Sequence, residues 1–255
     1  MSGHSKWATI KHKKGAVDAK RGKMFTKLIR ELSIAARMGG SDPDGNPRVR
    51  RAISDAKAQQ MPNETIQRAL KRGAGELDDI SYEEVLYEGT GPGASLILVE
   101  GMTDNRNRTV AELRKIFERH GGVMGGSGTA AWAFDRKGVV VVDGAVTEDT
   151  LMDIAVGAGA DDYAREGDTW SLTMPVESIE PVAKALEQAS ITVHSAAPGY
   201  IAKNKKTLAE RDVEVALNLM ELIDDNDDVQ NVFIDVQFDE QSGEQSSEQP
   251  SEESQ

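Results

Sequence analysis

The sequence predicts an α+β multidomain protein, an N-terminal three-helix bundle joined to two ferredoxin-like α/β domains, one inserted in the other. Three observations carry this expectation. Apolar residues recur at helical spacing through residues 25–75, and from residue 80 strands alternate with helices. One βαββαβ unit is then complete in sequence, whereas the strands before it find a closing helix and strand only at the end of the chain.

In the first region Phe25, Leu28, Ile29, Leu32, Ala35 and Ala36 share one helical face, and Gly39-Gly40 ends that helix. The turn SDPDGNP leads to a second helix with Val49, Ala52, Ile53 and Ala56 inward. Asn63 is placed to cap a third, carrying Ile66, Ala69 and Leu70 before Gly73. Three short helices with narrow apolar faces bury a core only against one another. Residues 1–24 lack a sustained apolar period and read as a flexible or partly helical basic arm before a helical domain over 25–79.

Beyond Gly75, YEEVLYEG and ASLILVEG read as a hairpin across TGPG, followed by a helix with Val110, Leu113, Ile116 and Phe117 inward and a strand at AAWAF. From Gly138 come strand VVVV, a helix over about 147–156, strands near 161–165 and 169–174, a helix over about 176–189 and strand ITVHSA. The economical division is a discontinuous domain of 80–135 with 207–239, an inserted domain of 136–206, and an acidic tail of 240–255 whose Ser/Glu/Gln/Pro composition cannot support a core.

Charge is segregated along the chain. The formal net charge is −13, yet residues 1–75 hold seventeen lysines and arginines against six acids, and the remainder holds thirteen against thirty-seven. One end is suited to meet a polyanion and the rest to avoid one. The absence of cysteine excludes disulfides, thiolate metal sites and cysteine nucleophiles. With neither a leader-like apolar run nor an eighteen-residue apolar span, a cytoplasmic protein without membrane contact is expected.

Several motifs fail on chemistry. GGVMGGSGT places Ser127 where a phosphate loop needs lysine, and GAGADD follows a helix where a dinucleotide motif would follow a strand. DDNDDVQNVFID has calcium-loop residues at Asp224, Asn226 and Asp228, but Val229 replaces the required glycine and Asp235 the bidentate glutamate. The four histidines form no catalytic or metal-ligand spacing. No catalytic residue, metal, cofactor or small-molecule substrate is therefore assigned, and the expectation is a non-enzyme.

The constellation that remains is basic. Lys6, Lys11, Lys13, Lys14, Lys20, Arg21, Lys23, Lys27 and Arg30 lie along the arm and the first helix, with Trp7 and His12 as planar rings able to stack on bases. Arg48, Arg50, Arg51, Arg68, Lys71 and Arg72 extend the positive surface. A second cluster, Arg106, Asn107 and Arg108 in TDNRNRT, opens a helix whose N-terminus attracts anions; the alternatives are an anion or partner contact, or an internal salt bridge with capping. No helix shows an obvious recognition face, and a basic arm suits folded ribosomal RNA at least as well as a major groove. Binding of an acidic protein surface is the third alternative.

GHSKWATIKHKKGAVDAKRGKMFTKLIREL, GGSDPDGNPRVRRAI, AKAQQMPNETIQRALKRG, YEEVLYEGTGPGAS, TDNRNRTVAELRKIF and DDVQNVFID together resemble the YebC/PmpR family, collinearly over all but the acidic tail. The resemblance implies a helical N-terminal domain and two α/β domains, one inserted in the other. It implies a cytoplasmic DNA-binding transcriptional regulator acting at promoter DNA, or alternatively a ribosome-associated, RNA-binding translation factor that relieves stalls at proline-rich stretches. Thr90 and Thr129-Ala130-Ala131-Trp132 depart from the family's usual residues, away from the basic arm.

Overall fold

A computed structural model describes residues 17–77 and 80–238. Its first helix, α1 (Val17–Gly39), begins eight residues before the apolar stripe, because the Lys/Ala/Arg/Met composition of 19–24 favours helix more than Gly22 opposes it. Asn46 then organises the turn to α2 (Pro47–Ala58). Its side-chain oxygen accepts the Arg48 and Val49 N–H groups, and its amide donates to the carbonyls of Ala35 and Gly40, so one residue caps α2 and ties down the end of α1.

Helix α2 ends in a Schellman motif. Met61 N–H reaches Ala56 O and Gln60 N–H reaches Lys57 O, with Gln60 in the left-handed region at φ 58°. Helix α3 (Asn63–Gly73) follows at once. Pro62, and not Asn63, occupies its N-cap position and makes no side-chain cap. Leu32, Ala35, Ala36, Val49, Ala52, Ala56, Met61, Ile66, Ala69 and Leu70 form one buried cluster, in which α2 and α3 both pack on α1. Gly73 permits the close approach of α3 to α1, since a Cβ there would meet Ser33 O and lie 2.8 Å from Ala36 Cβ.

The remainder is mixed α/β with antiparallel sheets. Strands β1 (Glu83–Thr90) and β2 (Leu96–Thr103) form the expected hairpin and are followed by α4 (Arg106–Arg119). The next strand differs from expectation. A short β3 (Val123–Met124) pairs with the end of β1, Ala131–Ala133 is a 3₁₀ turn, and Phe134 already belongs to a ten-residue β4 (Phe134–Asp143). AAWAF is thus the entry to β4 and not a strand of its own. Phe134 pairs with Ala202 of β7 (Val193–Ala202), which prolongs that ladder beyond the VVVV segment.

Between β4 and β7 lie α5 (Glu148–Ala158), β5 (Asp162–Glu166), β6 (Thr169–Met174) and α6 (Ile179–Gln188), giving a sheet of order β5-β6-β4-β7 over a core of Val140, Leu151, Leu172, Met174, Val182 and Leu186. After β8 (Lys206–Thr207), α7 (Glu210–Asp224) and β9 (Val229–Ile234) return to the first sheet. Its order becomes β3-β1-β2-β9, covering a core of Ile97, Leu113, Phe117, Leu219, Ile223 and Val232. A final β10 (Val236–Gln237) pairs in parallel with β8. None of the seven α-helices among the described residues is long and apolar enough to cross a membrane.

Candidate nucleic-acid interface

The basic positions read from the sequence divide sharply. Lys6, Trp7, Lys11, His12, Lys13 and Lys14 lie outside the described residues, as does the side chain of Lys20. Arg21 is exposed, with its guanidinium 5.5 Å from the Phe25 ring centroid. Lys23, Lys27 and Arg30 share one face of α1, but acids at the end of α7 and in the turn to β9 already meet that face. Lys23 Nζ lies 3.1 Å from Asp225, Lys27 Nζ 3.0 Å from Asp224, and Arg30 Nη1 2.8 Å from Asp228. Arg30 also donates to the carbonyl of Asp227 and stacks over Tyr82. This face is neutralised within the chain, which sequence alone does not reveal because nearly 200 residues separate the partners.

Asp228 is the hub of this contact. It is 2% exposed and receives Arg30 from α1, Arg108 Nη2 at 2.8 Å and Thr109 Oγ1 at 2.5 Å from α4, and Thr103 Oγ1 at 3.1 Å from the end of β2. Burial alone would raise its pKa. The bonds from Thr109 and Arg108 and the charges of Arg30 and Arg108 outweigh that and hold it below the usual carboxylate range. Arg106 pairs with Glu83 at 2.7 Å, Arg108 also pairs with Asp104 at 2.7 Å, Asn107 is exposed, and Asn105 supplies the cap by accepting Arg108 N–H. Both arginines of TDNRNRT thus make internal salt bridges beside the cap while remaining partly exposed.

The other bases of the helical region divide too. Arg48 is fixed between Glu31 at 2.6 Å and Glu84 at 2.7 Å, while Arg50 reaches Glu180 of α6 at 2.9 Å. Arg68 and Lys71 are exposed on α3, and neither has an ion pair among the described residues. Arg68 and Arg72 line a shallow groove of about 350 Å³ with Ile29, Glu64, Thr65 and Ala69, between α1 and α3. Along α3, Asn63, Glu64, Gln67, Arg68 and Lys71 form one exposed polar stripe opposite buried Ile66, Ala69 and Leu70.

The Gly-rich segment after β3 donates backbone N–H groups to an anion, but that anion is the protein's own. Glu88 of β1 accepts from Gly128 at 2.9 Å, Ala130 at 2.6 Å and Ala131 at 2.8 Å. Beside it Trp132 is 65% exposed, with its indole N–H bonded to Thr129 O. No group of three or more His, Asp or Glu residues among the described residues is arranged to hold a metal ion.

Two family models match this chain. The one described as the TACO1/YebC protein N-terminal domain covers residues 5–76, and the one described as the TACO1/YebC second and third domain covers residues 82–236. A protein of Desulfatibacillum aliphaticivorans, named a probable transcriptional regulatory protein, is 50% identical over 234 residues, spanning 91% of this chain and 95% of its own. A Geobacter sulfurreducens protein of the same description is 51% identical over 234 residues, spanning 91% and 94%. The crystal structure of a conserved hypothetical protein from Aquifex aeolicus superposes with a TM-score of 0.83 at 38% identity, over 87% of this chain and 92% of that one. By sequence along nearly its whole length, and by fold, this chain belongs to the TACO1/YebC family.

Proposed function

We propose that this protein is a nucleic-acid-binding regulator of gene expression, a cytoplasmic and non-enzymatic transcriptional regulator that contacts DNA through its N-terminal region. The observation that carries this is the charge segregation: seventeen bases against six acids in residues 1–75, within a chain of net charge −13. The names of the relatives as probable transcriptional regulatory proteins favour the same function. Lys6, Lys11, Lys13, Lys14, Lys20 and Arg21 supply phosphate contacts from the arm. Arg68 and Lys71 continue them on α3, and the acidic α/β domains, two ferredoxin-like units with one inserted in the other, keep the rest of the molecule off the polyanion. Lys23, Lys27 and Arg30 are paired with acids of the chain itself and are left out of these phosphate contacts.

Trp7 and His12, planar rings set among lysines, support a second reading in which the arm stacks on unpaired bases of ribosomal RNA and the protein acts in translation. Ultraviolet crosslinking in growing cells, with sequencing of bound DNA and RNA, separates the two. A few chromosomal sites support transcription, and one discrete ribosomal RNA location supports translation. Changing Lys11, Lys13 and Lys14 together to glutamate removes binding of either polymer if the arm makes the phosphate contacts. Undiminished binding refutes that role.

A further inference from the structure

We propose that α2, the turn Gln59–Pro62 and α3 form a helix-turn-helix reader of duplex DNA, with α3 entering the major groove; this deepens the DNA-binding function proposed above. The geometry begins with the turn. Four residues separate the two helices, and the reversal is made by Gln60 at φ 58° inside a Schellman motif, with Met61 turned into the core. Ala56 before the turn and Ile66 and Ala69 after it are fully or almost fully buried, so both helices are fixed on α1 while the outer face of α3 stays clear. A short turn between two helices that share a third as their support is the arrangement by which such motifs hold a recognition helix away from the domain.

Sequence spacing alone shows no obvious recognition face, but the structure exposes one stripe of α3 beside the tight turn, and that stripe has the chemistry of base-edge readout. Asn63 and Gln67 carry amides able to pair with adenine, Glu64 a carboxylate that accepts from cytosine, and Arg68 and Lys71 donors for guanine or phosphate. The stripe advances by i, i+4 steps (63, 67, 71 and 64, 68), so it follows one side of the helix as a groove requires. It includes no aromatic residue. That favours a stacked duplex over a single strand, whose recognition depends on rings that receive unstacked bases. Basic residues precede α1 in the chain, the order in which homeodomains carry an arm for the adjacent minor groove.

The test is selection of duplexes by the full-length protein from a random-sequence DNA pool, followed by affinity measurements on the selected duplex, a shuffled duplex and a single-stranded RNA of the selected sequence. The expected result is a short consensus bound at least about ten-fold more tightly than the shuffled duplex at fixed salt. Glu64→Ala and Gln67→Ala are expected to change the base selected at particular positions, with affinity for shuffled duplex kept within about two-fold. Arg68→Ala and Lys71→Ala should weaken duplex binding. All four positions are exposed, so unchanged thermal unfolding verifies that the fold is intact. DNA binding without a consensus, the same consensus from the Glu64 and Gln67 variants, or preference for the RNA overturns the recognition-helix assignment while leaving nucleic-acid binding by the arm standing. Failure to bind any nucleic acid overturns both.

Discussion

Arg30 Nη1 and Asp228 Oδ1 lie 2.8 Å apart, at 7% and 2% residue exposure, joining the first described helix to the turn before the last long strand. Arg108, Thr103 and Thr109 bond the same carboxylate, so a single buried acid holds elements from three parts of the sequence. Asp228→Ala leaves the Arg30 guanidinium buried without its carboxylate and is expected to cost about 3–5 kcal/mol. Arg30→Ala should cost less, because Arg108 still neutralises Asp228. Denaturant unfolding of the two variants checks the order, and equal losses would contradict a hub centred on the acid.

Acid should act through the same carboxylate. The pKa of Asp228 is lowered on folding, so its contribution is complete above the pKa of an unfolded aspartate, near 4, and is lost as pH falls through the lower folded value. Glu88 behaves alike: burial opposes ionisation, but the N–H groups of Ala130, Ala131 and Gly128 prevail and lower its pKa. The melting temperature should therefore decline below about pH 5. The decline should be shallower in Asp228→Ala than in the parent protein, whereas parallel curves would show that other groups govern acid unfolding.

The α1–α3 contact gives a steric prediction. A Cβ at Gly73 would meet the backbone oxygen of Ser33, which belongs to a helix and has no flexible end to move aside. Gly73→Ala should gain helix propensity yet lose about 1–3 kcal/mol through overpacking. Gly22→Ala, where an added Cβ meets nothing within 4 Å, should be neutral or slightly stabilising. Thermal melts of the pair distinguish close packing from propensity, since a lowered melting temperature for Gly73→Ala beside an unchanged or raised one for Gly22→Ala is expected only if packing dominates at Gly73.

The sequence revealed what depends on local period and hid what depends on distant partners. The apolar stripes of α1, α2 and α3, the hairpin across TGPG and the order of elements from Gly138 all follow from spacing. The apolar run AAWAF misleads because Ala131–Ala133 forms a tight turn and the N–H groups of Ala130 and Ala131 bind Glu88 of β1, so the run does not become a strand of its own. The αL residue after α2 is Gln60, not glycine, so the end of α2 carries no glycine mark, and only Pro62 and Asn63 signal the turn. Lys27 and Arg30 read as phosphate ligands for a comparable reason: each is one of a run of bases, and only the fold brings Asp224 and Asp228 against them.

Glu88 fixes the Gly-rich segment by accepting three backbone N–H groups, from Gly128, Ala130 and Ala131, and its side chain is the only connection between β1 and that turn apart from the ladder bond of Gly125 N–H to Glu88 O among the described bonds of this segment. Glu88→Gln keeps the volume but replaces one acceptor oxygen with an NH₂ group that faces donors, leaving at least one N–H unsatisfied at a cost of about 1–3 kcal/mol. Amide exchange at Gly128, Ala130 and Ala131 should accelerate markedly while the β1–β2 ladder keeps its protection. Trp132, whose indole is tethered to Thr129 O in this turn, should change its fluorescence in parallel. Glu88→Asp retains the charge but shortens the reach, and it should fall between the two. If exchange in the turn is unchanged in Glu88→Gln, the glycines alone determine its conformation and the carboxylate is incidental.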